Sequence, residues 1–264
     1  MGIKYSVNEN FFKSWSKKMA YVLGYIYADG YILDAPSMRG KYISITSIDK
    51  ESIERIKCWL CSDHKVIERP SQWLNGNLAY VLRIGSHRIY DSLFQHGLYP
   101  NKSLTMRLPK IPQKYLMDFV RGYFDGDGCI SLYKTIGNSG HVHARKLSVI
   151  FTSGSKKFLS KLTLLLSCQL EIKTQKIIDA KTAFQLRYST TDSVTIYHEL
   201  YKGCKKGEYL ERKHQIFQEF FELHKRRSGE DGQRGALQKR YARVRIPPTP
   251  HSKLMYELYS HVRP

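Results

Sequence analysis

Two matching stretches, GYIYADGYI at 24–32 and GYFDGDGCI at 122–130, constrain this chain more than any other feature. Each ends an apolar run with an aspartate and a glycine. When Gly24 is placed over Gly122, the similarity continues in the same order through most of each half, so the chain reads as an internal duplication. A duplicated chain must build two copies of one supersecondary pattern and bury the surfaces that neither copy can bury alone.

The segments after each stretch define that pattern. KYISITSIDKESIERI and RKLSVIFTSGSKKFLSKL each read as an alternating strand, a polar break with an N-cap candidate (Asp49, Ser155) and an amphipathic helix. AYVLRIGSHRIYDSLFQHG and AFQLRYSTTDSVTIYHELYKG each read as a strand with one central arginine and a capped helix stopped by glycine (Gly97, Gly203). In the first half, LNGN at 74–77 supplies an Asn-Gly hairpin turn. The expected fold class is α+β, two αββαββα repeats whose antiparallel sheets carry their helices on one side. The expected division is a first repeat at 1–100, a linker at 101–114 in the proline-interrupted NKSLTMRLPKIPQ region, a second repeat at 115–224 and an extension at 225–264.

The acids of the motif carry the chemistry. Gly24 and Ala28, like Gly122 and Gly126, are four apart and share one helical face, which suits close backbone approach. The same spacing would also serve a tight core contact with no chemistry in it. Asp29 and Asp127 then fall at helix C-termini, each before a glycine suited to a left-handed stop. A carboxylate at that end opposes the helix dipole, and two of them brought together repel each other. A divalent cation reverses the sign of both effects, and hard oxygen donors suit Mg²⁺ or Mn²⁺. An EF-hand loop does not fit, because DGDGCI lacks an oxygen side chain at its fifth position and YADGYI also lacks the first acid.

Lysine and arginine outnumber acids 43 to 23, a formal charge of +20, which attracts a polyanion and makes nucleic acid the leading partner. The segment from 225 onward holds ten Lys and Arg against three acids. Five scattered cysteines suit reduced thiols, and CWLC at 58–61 reads as two core cysteines one turn apart rather than a zinc site. No window is long and apolar enough to span a bilayer, and MGIKYSVNENFF lacks a signal-peptide core. The expected location is intracellular, in the cytoplasm or an organellar matrix. Metal-held carboxylates on so basic a protein point to phosphodiester hydrolysis.

YVLGYIYADG and FVRGYFDGDG resemble the two signature motifs of single-chain LAGLIDADG homing endonucleases, and the resemblance spans roughly residues 15–222. It implies a monomer with pseudo-twofold halves joined through the signature helices. It also implies a saddle of strands in the major groove of a long asymmetric double-stranded DNA site, cut on both strands with Mg²⁺. Carried over by position, the metal ligands are Asp29 and Asp127, assisted by the carbonyls of Ala28 and Gly126. Lys102 and Lys213 resemble the lysines placed near the attacking water. Asp125 takes an earlier acidic place of the pattern where the first copy has Tyr27, and this place reads as structural. Ser47 and Ser153 stand where the family often has glutamine.

Strand alternation puts Tyr80, Leu82 and Ile84 on one side and Arg83 on the other; likewise Phe184, Leu186 and Tyr188 oppose Gln185 and Arg187. Arg83, Arg187 and Gln185 are the expected base readers, with Arg39, Lys41, Ser44, Arg145, Lys146 and Ser148 as further DNA contacts. Two other functions fit the same scaffold: an RNA-binding intron maturase, and a DNA-binding regulator without cleavage. Neither requires the acid pair.

Overall fold

The computed structural model describes residues 5–35, 40–70, 78–137 and 140–227. The Asn-Gly turn at 74–77, Arg39 and residues 228–264 lie outside the described residues. The first repeat runs α1 (Lys17–Asp29), β1 (Gly30–Ala35), β2 (Gly40–Ser47), α2 (Lys50–Trp59), β3 (Val66–Pro70), β4 (Leu78–Gly85) and α3 (His87–Gln95). The second repeats the order as α4 (Leu116–Asp127), β5 (Gly128–Ile136), β6 (Val142–Ser153), α5 (Lys156–Leu170), β7 (Ile177–Asp179), β8 (Phe184–Arg187) and α6 (Thr190–Leu200). A further helix, α7 (Glu211–Arg227), follows. The strand orders are β1-β2-β4-β3 and β5-β6-β8-β7, antiparallel throughout. Both halves therefore have the expected α+β pattern.

The core lies between the two motif helices and spreads from them under each sheet. Every residue of α1 from Met19 to Tyr27 is buried, as is nearly all of α4. A helix buried all round must be apolar all round, and the small residues decide how close its neighbour comes. A Cβ added to Gly24 would lie 2.0 Å from the Phe119 carbonyl oxygen, and one added to Gly122 would lie 1.9 Å from that of Tyr21. Each glycine thus sits on the carbonyl three residues before the other glycine. Further along, a Cβ on Gly126 would meet the Ala28 Cβ at 2.4 Å. The contacts advance together along both helices, so α1 and α4 run in the same direction and their C-terminal ends meet.

Several local expectations change. Gly30 and Gly128 are extended (φ −98° and −74°), not left-handed. Glycine is needed there for space, since a Cβ would come within 2.6 Å of the Ile26 side chain or 2.1 Å of the Phe124 ring. Gly97 and Gly203 do take left-handed backbone, φ +86° and +68°. Ser155 caps α5 through Phe158 N–H, whereas Asp49 makes no cap bond to α2 and instead holds Arg212 of α7 through two hydrogen bonds of 2.8 Å. Cys58 and Cys61 are exposed rather than in the core, because α2 turns Ile53 and Ile56 inward and Leu60 follows them there.

Gly24→Ala or Gly122→Ala is expected to cost at least ~3 kcal/mol, at the upper end for overpacking, because the added methyl meets backbone that cannot swing aside. Urea denaturation of each variant against the parent checks this.

Candidate active site

The meeting of α1 and α4 at their C-terminal ends brings Asp29 and Asp127 to one place. A Cβ on Gly126 would sit 3.2 Å from Asp29 Oδ2, so the first repeat's carboxylate rests against the second repeat's helix end. Among the described residues, neither carboxylate accepts a hydrogen bond. Burial, with Asp127 as the next cause, pushes the Asp29 carboxyl up to about 7. Burial also raises Asp127, opposed by Lys102 and Lys213. Asp29 is half-buried and Asp127 keeps an exposed edge, yet two neighbouring acids with no donor among the described residues are a costly arrangement in the free protein. The donor set, two carboxylates flanked by the carbonyls of Ala28 and Gly126, fits a hard divalent cation that also takes water or phosphate oxygens.

Both expected lysines reach the joined helix ends. Lys102, on a short 3₁₀ turn after the first repeat, donates to the Gly30 carbonyl at 2.7 Å and is 5% exposed. Lys213, in the first turns of α7, donates to the carbonyls of Phe124, Asp125 (2.9 Å) and Gly126 (3.2 Å), and is 4% exposed. Its ammonium therefore bonds carbonyls at the helix end, of which that of Phe124 also accepts from Gly128 N–H. Burial lowers both amines, Lys213 to about 8, while the surrounding aspartates oppose the shift. Each aspartate feels the charge of both lysines, which makes the four groups one site.

Asp125 does not join them. It is 1% exposed, and its Oδ2 accepts from the Tyr21 hydroxyl at 2.6 Å and from Leu210 N–H at 2.9 Å. Tyr27, at the matching place, donates to the His96 carbonyl at 2.7 Å. Ser47 Oγ accepts from the Tyr25 hydroxyl and Asp49 N–H, and Ser153 Oγ from Ser155 N–H, so both are engaged in local turns.

The outer faces of the sheets carry most of the expected contact residues. Arg83 is exposed on β4, directly across from Ser44, and its guanidinium lies 4.3 Å from the centre of the Tyr42 ring. Tyr42 lies over Gly85 and Gly40, where a Cβ would come within 3.2 and 2.5 Å of it. Sequence reading missed Tyr42; the two glycines flanking the strand pair were the available sign. Arg187 is exposed beside the half-buried Gln185 on β8. Arg145 and Lys146 are neighbours, yet both are exposed, because a bulge in the β5–β6 pairing near Tyr133 and Lys134 leaves Arg145 without a partner. Ser44 and Ser148 face outward by register but are covered, 2% and 1% exposed. Lys41 departs from expectation: it shares a side of the strand with the buried Ile43 and Ile45, and bonds Asp91 on the helix side at 2.6 Å.

A paired α+β scaffold with acids at its joined helix ends defines a two-repeat class of protein, and comparison supplies the family. Residues 114–223 match the LAGLIDADG-like domain family. The fold is similar to that of the homing endonuclease I-WcaI bound to its DNA recognition sequence (15% identity, 75% of this chain, 88% of that chain, TM-score 0.53). It is also similar to that of the I-LtrWI LAGLIDADG homing endonuclease bound to target DNA (11% identity, 82% and 91%, TM-score 0.51). A stretch of 85 residues, 30% of this chain, is 38% identical to the probable translation initiation factor IF-2 of Thermococcus kodakarensis; the match spans 6% of that protein. The family match covers the second repeat, and the whole has a fold similar to that of these two-repeat endonucleases.

The raised Asp29 pKa has a consequence for stability. Between about pH 4 and 7 the unfolded chain ionises this carboxyl freely while the folded protein resists, so stability falls as pH rises through that window. Without divalent cation, Asp29→Asn is expected to gain on the order of 1 kcal/mol or more at pH near 8 and little at pH near 4. Urea melts at the two pH values test this, and equal gains at both would count against it.

Proposed function

We propose that the protein is a site-specific double-strand DNA endonuclease of the homing type, dependent on divalent metal. The observation that carries this reading is the pair of carboxylates brought together at the joined ends of α1 and α4 with no hydrogen-bond donor among the described residues, on a scaffold of two sheets whose outer faces expose arginine and lysine. An RNA-binding or purely regulatory role would not call for that pair.

Asp29, Asp127 and the carbonyls of Ala28 and Gly126 would hold Mg²⁺ or Mn²⁺. Bound there, the ion supplies Lewis-acid stabilisation of the phosphate oxygens and acidifies water. The chain's own residues do the rest. Lys213, with its pKa near 8, holds or releases a proton at Nζ close to neutrality, and Lys102 presents a second ammonium to the phosphate. Arg83, with its guanidinium over the Tyr42 ring, carries the bidentate donor pair that suits guanine N7 and O6. Gln185 suits adenine, and Arg187, Arg145 and Lys146 add base or phosphate contacts. The +20 charge steers the duplex to the saddle. The chain acts as a monomer, since its duplication already provides two half-sites, and it acts inside the cell where its DNA lies.

Asp29→Asn and Asp127→Asn are each expected to abolish cleavage of a target selected from a random duplex library while leaving binding in Ca²⁺ within about threefold of the parent. Wild-type cleavage rates in either variant would refute the site. In the same selection, Arg83→Ala should relax preference at one or two adjacent base pairs, a loss of about 1–3 kcal/mol of discrimination there, and leave the other positions unchanged.

A further inference from the structure

The two halves of the site are not built alike. In the second repeat, a buried chain of polar contacts reaches the helix end from the first repeat. Arg55 of α2 donates through Nη1 to the carbonyls of Gly207 (3.1 Å) and Tyr209 (2.8 Å), just before α7. Its Nη2 donates to the Tyr21 hydroxyl (2.8 Å) and to Ser52 (3.1 Å), and lies 4.0 Å from Asp125 Oδ2. Tyr21 passes the contact on to that same oxygen, which also accepts Leu210 N–H. Leu210 in turn accepts from Lys213 N–H at 3.1 Å, the residue whose ammonium bonds the end of α4.

Among the described residues the first half has only a shorter link: Ser155 of the second repeat donates through its hydroxyl to the Met106 carbonyl, and Met106 N–H bonds the Lys102 carbonyl. Tyr27 replaces Asp125 there and bonds within its own repeat, Phe119 replaces Tyr21 and has no hydroxyl, and Lys161, matching Arg55, donates no hydrogen bond among the described residues. The asymmetry is costly to maintain. Asp125 Oδ1 and Arg55 Nε are buried without partners, and such groups ordinarily select against themselves.

We propose that Arg55 and Tyr21 are positioning residues that set the second half of the active site from the first repeat, so that one strand of the duplex is cut under their control and the other is not. The proposal rests on the endonuclease reading and deepens it. Asp125 is the lever: its side chain is held by Tyr21 and Leu210, its carbonyl is bonded by Lys213, and Asp127 stands two residues on. Releasing the side chain lets α7 and the end of α4 shift relative to α1, and a displacement well below 1 Å is enough to change a rate. Lys102 and Asp29 are reached by none of these contacts.

The test uses the full-length protein and its selected duplex, labelled on each strand in turn. Tyr21→Phe removes one hydroxyl and keeps the ring; Arg55→Met removes the guanidinium and keeps most of its stem. Both are expected to slow the same strand about tenfold or more, leave the other within about twofold, and let nicked duplex accumulate. Circular dichroism melts establish that each variant is folded at the assay temperature. Equal slowing of both strands, no slowing, or opposite strands slowed by the two variants would overturn the proposal while the endonuclease reading stood. A wild-type protein that cuts no duplex in the library would defeat that reading, and this proposal with it.

Discussion

The contact of the α1 and α4 backbones through Gly24 and Gly122 is the constraint on which the rest depends. Each glycine lies on the carbonyl three residues before the other, with no room for a methyl group on either side. That reciprocity makes the two helices parallel and brings their ends together. Any larger residue would separate the helices and so part Asp29 from Asp127. The sheets follow from the same contact, since β1 and β5 begin directly after the two aspartates.

Close approach of the ends creates an electrostatic problem that the surrounding residues solve only in part. The carbonyls at the end of α4 find Lys213 and that of Gly30 finds Lys102, but among the described residues the two carboxylates find no donors. Burial of an ionised acid without donors costs free energy, and the upward shift of Asp29 expresses that cost as reluctance to ionise. The free protein is therefore strained where a cation would relieve it. Stability given up at this point is returned by the apolar interior around it, where Tyr27, Phe119, Tyr123 and Phe158 pack ring against ring.

The repeat order and the motif helices were legible in the sequence because duplication shows each pattern twice and small-residue spacing is a local property. The lysines were legible through their place after the third helix of each repeat. Other features depended on geometry that spacing does not carry. Lys41 was assigned to the outer face beside Ser44, although residues three apart in a strand lie on opposite sides, and the pairing of β2 with its neighbours puts Lys41 with the helices. Arg145 and Lys146 were both assigned outward against strict alternation, and a bulge makes that possible. Asp49 was read as a cap from its local setting, whereas its partner Arg212 is 163 residues away. Glycines that serve space rather than turning, Gly30 and Gly128, look the same in sequence as glycines that turn the chain.

The exchange of Tyr21 for Phe119 at matching places also bears on how freely the halves could be recombined. Two copies of the second repeat, joined through α4 alone, would set the Asp125 carboxylate against a phenyl ring that offers it no proton. Two copies of the first would leave Arg55 without the carbonyls of Gly207 and Tyr209 to hold. Each half has come to carry groups that only the other can satisfy. A symmetric homodimer of either half would leave these groups unmatched, and grafting either half onto a foreign partner would require rebuilding this seam along with the helices.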